Sequence, residues 1–115
     1  LCSIMVDVDA RHFLENIDAV FRRRALVTGG LIHDGITVDP GAIRDCALLT
    51  VEGVEDRIIA PGQTAAAHAL CPRLPRERHL ALRIEGCNHL ALFGGEAFQA
   101  GVAPAIIAWL ERWLG

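Results

Sequence analysis

The chain of 115 residues is 52% hydrophobic with a formal net charge of −3, a composition typical of one globular domain with its own core. The acidic balance argues against nucleic acid as a partner, since the one basic cluster, Arg22 to Arg24, occupies a single helical turn. No apolar run approaches the roughly 20 residues that a membrane span needs, so the sequence predicts no membrane partner.

The first predicted element is an amphipathic helix. Residues 10–27 carry apolar side chains at three- and four-residue intervals, which places those side chains on one helix face. Asp9 stands where a helix cap is expected, and Gly29 and Gly30 stand where a helix ends. One continuous helix is therefore predicted between Asp9 and these glycines.

Two short connecting features follow the helix. Residues 31–38, LIHDGITV, predict a short hairpin or loop around Asp34 and Gly35. Asp39 and Pro40 then form a helix-start signal, which predicts a brief helical turn.

The second half of the chain is more regular. An apolar run at residues 46–51, CALLTV, predicts a buried strand, and residues 63–71 predict a helix of small residues. Residues 79–84, HLALRI, predict a second strand, and residues 96–114 predict a helix with a kink or a restart at Pro104.

The order strand, helix, strand, helix is typical of right-handed crossovers in a parallel sheet, so the predicted fold class is α/β. Residues 1–45 are predicted to form a helical segment with a connecting loop, and residues 46–115 a βαβα unit. Two parallel strands cannot close their own edges, so further sheet is expected from a second copy or from a larger α/β protein. The isolated chain is accordingly predicted to form a homo-oligomer.

Two side chains follow the two strands, where each strand ends. Asp56 lies just beyond the first strand, and His89 lies just beyond the second. Because neighbouring parallel strands lie about 4.8 Å apart, the two loops can bring a carboxylate within hydrogen-bonding reach of an imidazole. A histidine in this position can move protons while the carboxylate holds its other nitrogen. Asp56 and His89 are therefore the candidate catalytic residues.

The remaining histidines and the cysteines favour structural roles. His68 and Cys71 are three residues apart, and Cys87 and His89 are two apart, which raises a zinc site as an alternative. The spacing matches no familiar zinc finger, so buried apolar cysteines are predicted, with no metal and no cofactor. The sequence also predicts structural or solvent-facing roles for the histidines away from the strand ends, which are His12, His33, His68 and His79.

At these residues the sequence resembles a known family. The segments VDPGAIRDCALLTVEGVEDRIIAPGQTAAAHALCPRLPRERH and IEGCNHLALFGGEAF are similar to the C-terminal region of intracellular polyhydroxyalkanoate (poly-3-hydroxybutyrate) depolymerases. The segment MVDVDARHFLENIDAVFRRRAL is similar to the helical region that precedes it in that family. The run ALLTVEG, an aspartate, then GQT, AAH and LC, with FGG after the histidine, carries the resemblance.

The resemblance implies an α/β-hydrolase fold and an ester hydrolase with a cysteine nucleophile, Asp56 as the triad acid and His89 as the triad histidine. It also implies a hydroxyalkanoate polymer or oligomer as substrate and a cytoplasmic location at polymer granules. The many Ala, Gly and Arg residues indicate a GC-rich bacterial genome. Arg57 and Leu90 depart from the acidic and aromatic residues of the family, which bears on polymer specificity more than on the triad.

The sequence offers no nucleophile at a strand-to-helix elbow. Ser3 has no GxSxG motif around it, and none of the four cysteines, Cys2, Cys46, Cys71 and Cys87, stands at an elbow. We therefore expect the nucleophile and an oxyanion donor to lie upstream, and the chain alone to be inactive. The alternative is a non-catalytic module that binds granules or a partner through its sheet edges and the face of Trp109 and Trp113, although that spacing is more typical of a core.

Overall fold

The computed structural model of the protein describes residues 7–114. The chain forms two compact units that divide between Pro40 and Gly41. Within the described residues, no helix is both long enough and apolar enough to cross a membrane.

The first unit begins with helical segments and not with one continuous helix. Helix α1 spans Ala10–Asn16, continues as a wider π-turn over Ile17–Arg22, and is followed by α2 over Ala25–Thr28. The predicted single helix over 10–27 is therefore wrong in its continuity, because Arg24 takes a left-handed backbone with φ 45°. Apolar periodicity reports which side chains share a face, and it carries no signal for one reversed residue.

The two ends of this helical region differ from each other in how they are capped. Asp9 stands at the N-cap position, as predicted, but its side chain makes no capping hydrogen bond, and its backbone carbonyl accepts the Phe13 N–H at 2.9 Å. Gly29 ends α2 with φ 80°, as predicted, because glycine adopts the left-handed conformation without a Cβ clash.

The predicted hairpin is confirmed. Strands β1 (Ile32–His33) and β2 (Ile36–Thr37) pair antiparallel around Asp34 and Gly35, whose φ values are 49° and 76°. Two consecutive residues with positive φ define a turn whose twist matches that of the flanking strands. The brief turn predicted next is also present, as a 3₁₀ turn over Pro40–Ala42.

The second unit is built on a two-stranded parallel sheet. Strand β3 spans Leu48–Gly53 and β4 spans His79–Ile84, in a register that pairs the two strands residue by residue. The parallel pairing confirms the predicted α/β class at the level of mixed helix and parallel sheet. Strand β3 begins two residues later than predicted and extends through Glu52 and Gly53, which the sequence placed in a loop.

Short turns and one longer helix complete this unit. The segment predicted as a helix over 63–71 is a tighter 3₁₀ turn over Ala65–Leu70. The predicted C-terminal helix is confirmed, with a π-turn over Phe98–Val102 before α3, which spans Ala103–Leu114. Pro104 is the second residue of α3, where its missing N–H costs least. The buried apolar side chains described for this unit are Cys71, Leu74, Cys87, Val102 and Trp109.

Candidate active site

The loops after β3 and β4 are joined by backbone hydrogen bonds beyond the end of the sheet. The Val54 N–H donates to the Ile84 carbonyl at 3.0 Å, and the Glu55 N–H donates to the Cys87 carbonyl at 3.0 Å. These bonds extend the strand pairing by two residues. Asp56, the residue after Glu55, therefore lies beside the loop that follows β4. The backbone, before any side chain is considered, therefore sets the approach of Asp56 to His89.

Gly53, the last residue of β3, allows this close approach. A Cβ atom at Gly53 would overlap the carbonyl oxygen of Cys87 and lie 3.1 Å from its carbonyl carbon. Both atoms belong to backbone, which cannot turn aside as a flexible side chain can. Glycine is therefore required here by contact and not by backbone conformation.

We expect Gly53→Ala to lower the free energy of unfolding by about 1–3 kcal/mol, because the added methyl forces the two loops apart. Urea unfolding of the variant and the parent protein measures this change. Gly94→Ala is the matched control, since a Cβ at Gly94 meets no atom within 4 Å. An unfolding midpoint for Gly53→Ala equal to that of Gly94→Ala would contradict the tight packing.

Asp56 and His89 form a direct hydrogen bond. The Nδ1 atom of His89 lies 2.8 Å from Oδ2 of Asp56. The Asp56 side chain is 2% exposed and the His89 side chain is 29% exposed, so the carboxylate is buried behind an accessible imidazole. The predicted meeting of the two side chains is thus present in the structure, while their catalytic roles stay a prediction.

The second oxygen of Asp56 is also fully engaged. Oδ1 accepts the backbone N–H groups of Ile58 at 2.8 Å and Ile59 at 2.9 Å. Burial opposes ionisation of Asp56, but the hydrogen bonds from Ile59, His89 and Ile58 outweigh it and hold the pKa of this carboxyl below its ordinary 3.8. An ionised Asp56 accepts a hydrogen bond from the Nδ1–H of His89, which leaves Nε2 as the nitrogen able to take a proton.

The surroundings of His89 keep its ring in place. The Phe93 ring meets the His89 ring edge to face, with centroids 5.5 Å apart and planes inclined by 65°. Between them runs a 3₁₀ turn over Leu90–Leu92, and Oδ1 of Asn88 accepts the N–H of Ala91 at 3.0 Å. The contact with Phe93 and the capped turn therefore restrict the imidazole in addition to its bond with Asp56.

Sequence reasoning missed a second buried carboxylate, Glu52. Its oxygens accept the backbone N–H groups of Gly62 at 2.9 Å and Ala65 at 2.7 Å, and Nη2 of Arg83 lies 3.5 Å away. The bonds from Ala65 and Gly62 hold the pKa of Glu52 below its ordinary 4.5 against its burial, and Arg83 adds to the effect. The register between β3 and β4 could have revealed this carboxylate, because it places Glu52 opposite Arg83 on the neighbouring strand.

Two histidines predicted to be structural or solvent-facing form a part-buried hydrogen-bond network with a threonine. The Nδ1 atoms of His68 and His79 lie 2.8 Å apart, and Nε2 of His68 lies 2.9 Å from Oγ1 of Thr50. Nε2 of His79 lies 3.2 Å from the carbonyl of Leu74, which can only accept. Burial, followed by the nearby His79, lowers the pKa of His68. His79 is the first residue of β4, so this network lies towards the opposite end of the strands from Asp56.

His12 and His33 fit the same prediction more simply. Both side chains are exposed: Nε2 of His12 lies 3.4 Å from Asn16, and Nε2 of His33 lies 3.4 Å from Asp34. Neither belongs to the second unit, which carries the candidate site.

Within residues 7–114, the cysteines form no metal site, and none of them is an exposed thiol at the Asp56 end of the strands. Cys71 and Cys87 are buried, and Cys46 is exposed before the start of β3, at the opposite end of the strand from Asp56. Cys2 and Ser3 lie outside the described residues. Across residues 7–114, no group of three or more His, Cys, Asp or Glu side chains is arranged to hold a metal ion.

The fold and the site together define a mixed α/β protein with a buried carboxylate and a partly exposed imidazole joined at the carboxyl edge of a parallel sheet. Residues 2–113 match the family described as the C-terminus of PHB de-polymerase, and the chain belongs to that family. This match confirms the resemblance seen in the sequence. No curated protein and no solved structure matches the chain.

Proposed function

We propose that the chain is the C-terminal part of an intracellular poly(3-hydroxybutyrate) depolymerase with an α/β-hydrolase fold, in which Asp56 and His89 act as acid and base of a catalytic triad. The observation that carries the proposal is the 2.8 Å bond between His89 Nδ1 and Asp56 Oδ2. It lies at the strand ends, where α/β enzymes gather their catalytic groups, in a chain of the depolymerase family.

The proposed reaction is ester hydrolysis in two steps. Nε2 of His89 takes the proton of the nucleophile, which attacks the carbonyl carbon of a 3-hydroxybutyrate ester. The resulting imidazolium gives that proton to the departing alkoxide, which leaves as the hydroxyl end of the remaining polymer. Water then attacks the acyl carbonyl carbon while His89 takes a proton from that water. His89 returns the proton to the departing nucleophile, so a free carboxylic acid is released and the nucleophile is regenerated.

Asp56 serves this cycle by holding one tautomer of His89. Its carboxylate accepts the Nδ1–H of His89 and stabilises the positive charge that forms when Nε2 is protonated. The two backbone bonds from Ile58 and Ile59 prevent the carboxylate from turning away. No reorganisation of Asp56 is then needed during the reaction.

The nucleophile in this proposal comes from residues outside 7–114. Of the described cysteines, Cys71 and Cys87 are buried, and Cys46 lies before a strand of six residues that separates it from Asp56. A six-residue strand is about 20 Å long, far beyond the reach of His89. Cys2 and Ser3 precede residue 7 but stand in no nucleophile-elbow motif, so the nucleophile is proposed to lie outside the 115 residues and the chain by itself to be inactive. Polymer granules in the cytoplasm are its proposed location in the cell.

The structure does not favour the alternative of a binding module that docks through its tryptophans. Trp109 is 8% exposed, and its ring packs edge to face on Trp113 with centroids 5.7 Å apart. The guanidinium groups of Arg78 and Arg112 lie over the Trp113 ring at 4.9 and 5.0 Å. These contacts are those of a packed helix face.

The test of the proposal is hydrolysis of a defined 3-hydroxybutyrate oligomer by the complete protein that contains this chain. We expect the complete protein to release 3-hydroxybutyrate, measured by chromatography, and the 115-residue chain to release none. A short butyrate ester without the 3-hydroxy group serves as the comparison substrate. A folded complete protein that leaves the oligomer intact would sink the proposal.

A further inference from the structure

Glu52 is buried on the strand that leads to the candidate site, where an uncompensated charge is costly. Its side chain is 3% exposed, on β3, four residues before Asp56. A carboxylate in such a position is retained only where hydrogen bonds offset its loss of water. The partners of Glu52 therefore indicate what it does.

Those partners are mainly backbone groups of the loop that follows Asp56. Oε1 accepts the Ala65 N–H at 2.7 Å and Oε2 accepts the Gly62 N–H at 2.9 Å. Arg83 lies farther, at 3.5 Å, with its side chain 57% exposed, so water screens this ion pair. The main interaction of Glu52 is therefore with the loop and not with Arg83.

The loop between β3 and the turn at Ala65–Leu70 is consequently held at both ends by carboxylates. Asp56 holds its first part through the N–H groups of Ile58 and Ile59. Glu52 holds its last part through Gly62 and Ala65. Only residues 60 and 61 separate the two anchored segments, so displacement of one anchor changes the path of the chain at the other.

We propose that Glu52 is a positioning residue for the Asp56–His89 pair, which it supports by fixing the far end of the Asp56 loop. The inference rests on the proposed function for its effect on catalysis, while its structural content stands on the bonds of Glu52 alone. Glu52 does not reach substrate in this scheme, and it acts through the loop backbone. A loosened loop lets the Asp56 carboxylate depart from its 2.8 Å bond to His89.

The test uses Glu52→Gln in the complete protein labelled with ¹⁵N-histidine. Glutamine keeps the size of the side chain, but its amide group faces a backbone N–H and one of the two loop bonds is lost. We expect the hydrogen-bonded Nδ1–H signal of His89 to broaden or shift upfield, and kcat on the oligomer to fall about 10- to 100-fold with little change in KM.

Three further variants separate positioning from simple stabilisation. Glu52→Asp keeps the charge but reaches only one N–H, so an intermediate effect is expected, and it replaces Glu52→Gln if that variant does not fold. Arg83→Gln removes the distant ion pair and is expected to change the signal less. Glu85→Gln, at an exposed glutamate, is the matched control and is expected to change neither measurement.

The His89 signal and the hydrolysis of the oligomer test two different claims. An unchanged His89 signal in folded Glu52→Gln overturns the positioning role, whatever the activity of the complete protein. A changed signal in a protein that does not hydrolyse the oligomer supports the positioning role and overturns the proposed function. A lower unfolding midpoint together with an unchanged signal and kcat would assign Glu52 to stability alone.

Discussion

Replacing His89 by alanine in the complete protein is expected to lower kcat for oligomer hydrolysis by roughly 10⁴-fold or more. The reason is that no other imidazole of the second unit lies at this end of the strands: His68 and His79 are hydrogen-bonded to each other towards the opposite end. The loss appears in kcat because proton transfer belongs to the transition state and not to polymer binding. Steady-state kinetics on the defined oligomer measures it.

The control for this variant is His33→Ala, which removes an exposed imidazole of the hairpin. Circular dichroism of both variants establishes that the fold is retained. Hydrolysis by folded His89→Ala at the rate of His33→Ala would remove His89 from the mechanism. A loss confined to KM would make His89 a substrate-binding group instead of a base.

Replacing Asp56 by asparagine is the second large effect, and we expect kcat to fall by roughly 10³- to 10⁴-fold. The asparagine oxygen can still accept the N–H groups of Ile58 and Ile59, so the loop is retained. Its amide then faces Nδ1 of His89 and donates to it, which shifts the ring proton to Nε2. His89 in that tautomer cannot take a proton from the nucleophile.

Two measurements check this second prediction: kcat on the oligomer and the ¹⁵N shifts of His89, which report its tautomer. Glu55→Gln is the control, since Glu55 is the exposed acidic neighbour of Asp56. An unchanged tautomer in folded Asp56→Asn would show that the carboxylate does not orient the ring. A changed tautomer with unchanged kcat would show that orientation does not limit the reaction.

Much of the fold could be predicted because its signals are local. The six-residue stretch HLALRI identified β4 at the bounds observed, and the Asp34–Gly35 pair identified the hairpin turn. The site followed from one general property of parallel sheets, that their carboxyl ends share an edge. Asp56 and His89 could thus be named from their places after the strands, without knowledge of any side-chain contact.

The predictions that failed concern features with no local signature. The break in the first helix depends on one left-handed residue, Arg24. The later start of β3 depends on where its pairing with β4 begins. The sequence places Glu52 beyond the end of β3, because an acidic residue beside a glycine is usual in a loop. Its burial is possible only because partners ten and thirteen residues downstream return to it.

The sequence by itself determined the family, the parallel α/β pattern and the identity of the candidate acid and base, since these depend on residue type and order along the chain. The tertiary structure alone decided that Asp56 bonds to Nδ1 of His89, that Glu52 holds the loop that follows Asp56 and that His68 pairs with His79. Hydrogen bonds of this kind join groups far apart in sequence, and their existence depends on angstrom-scale distances that only the folded backbone sets.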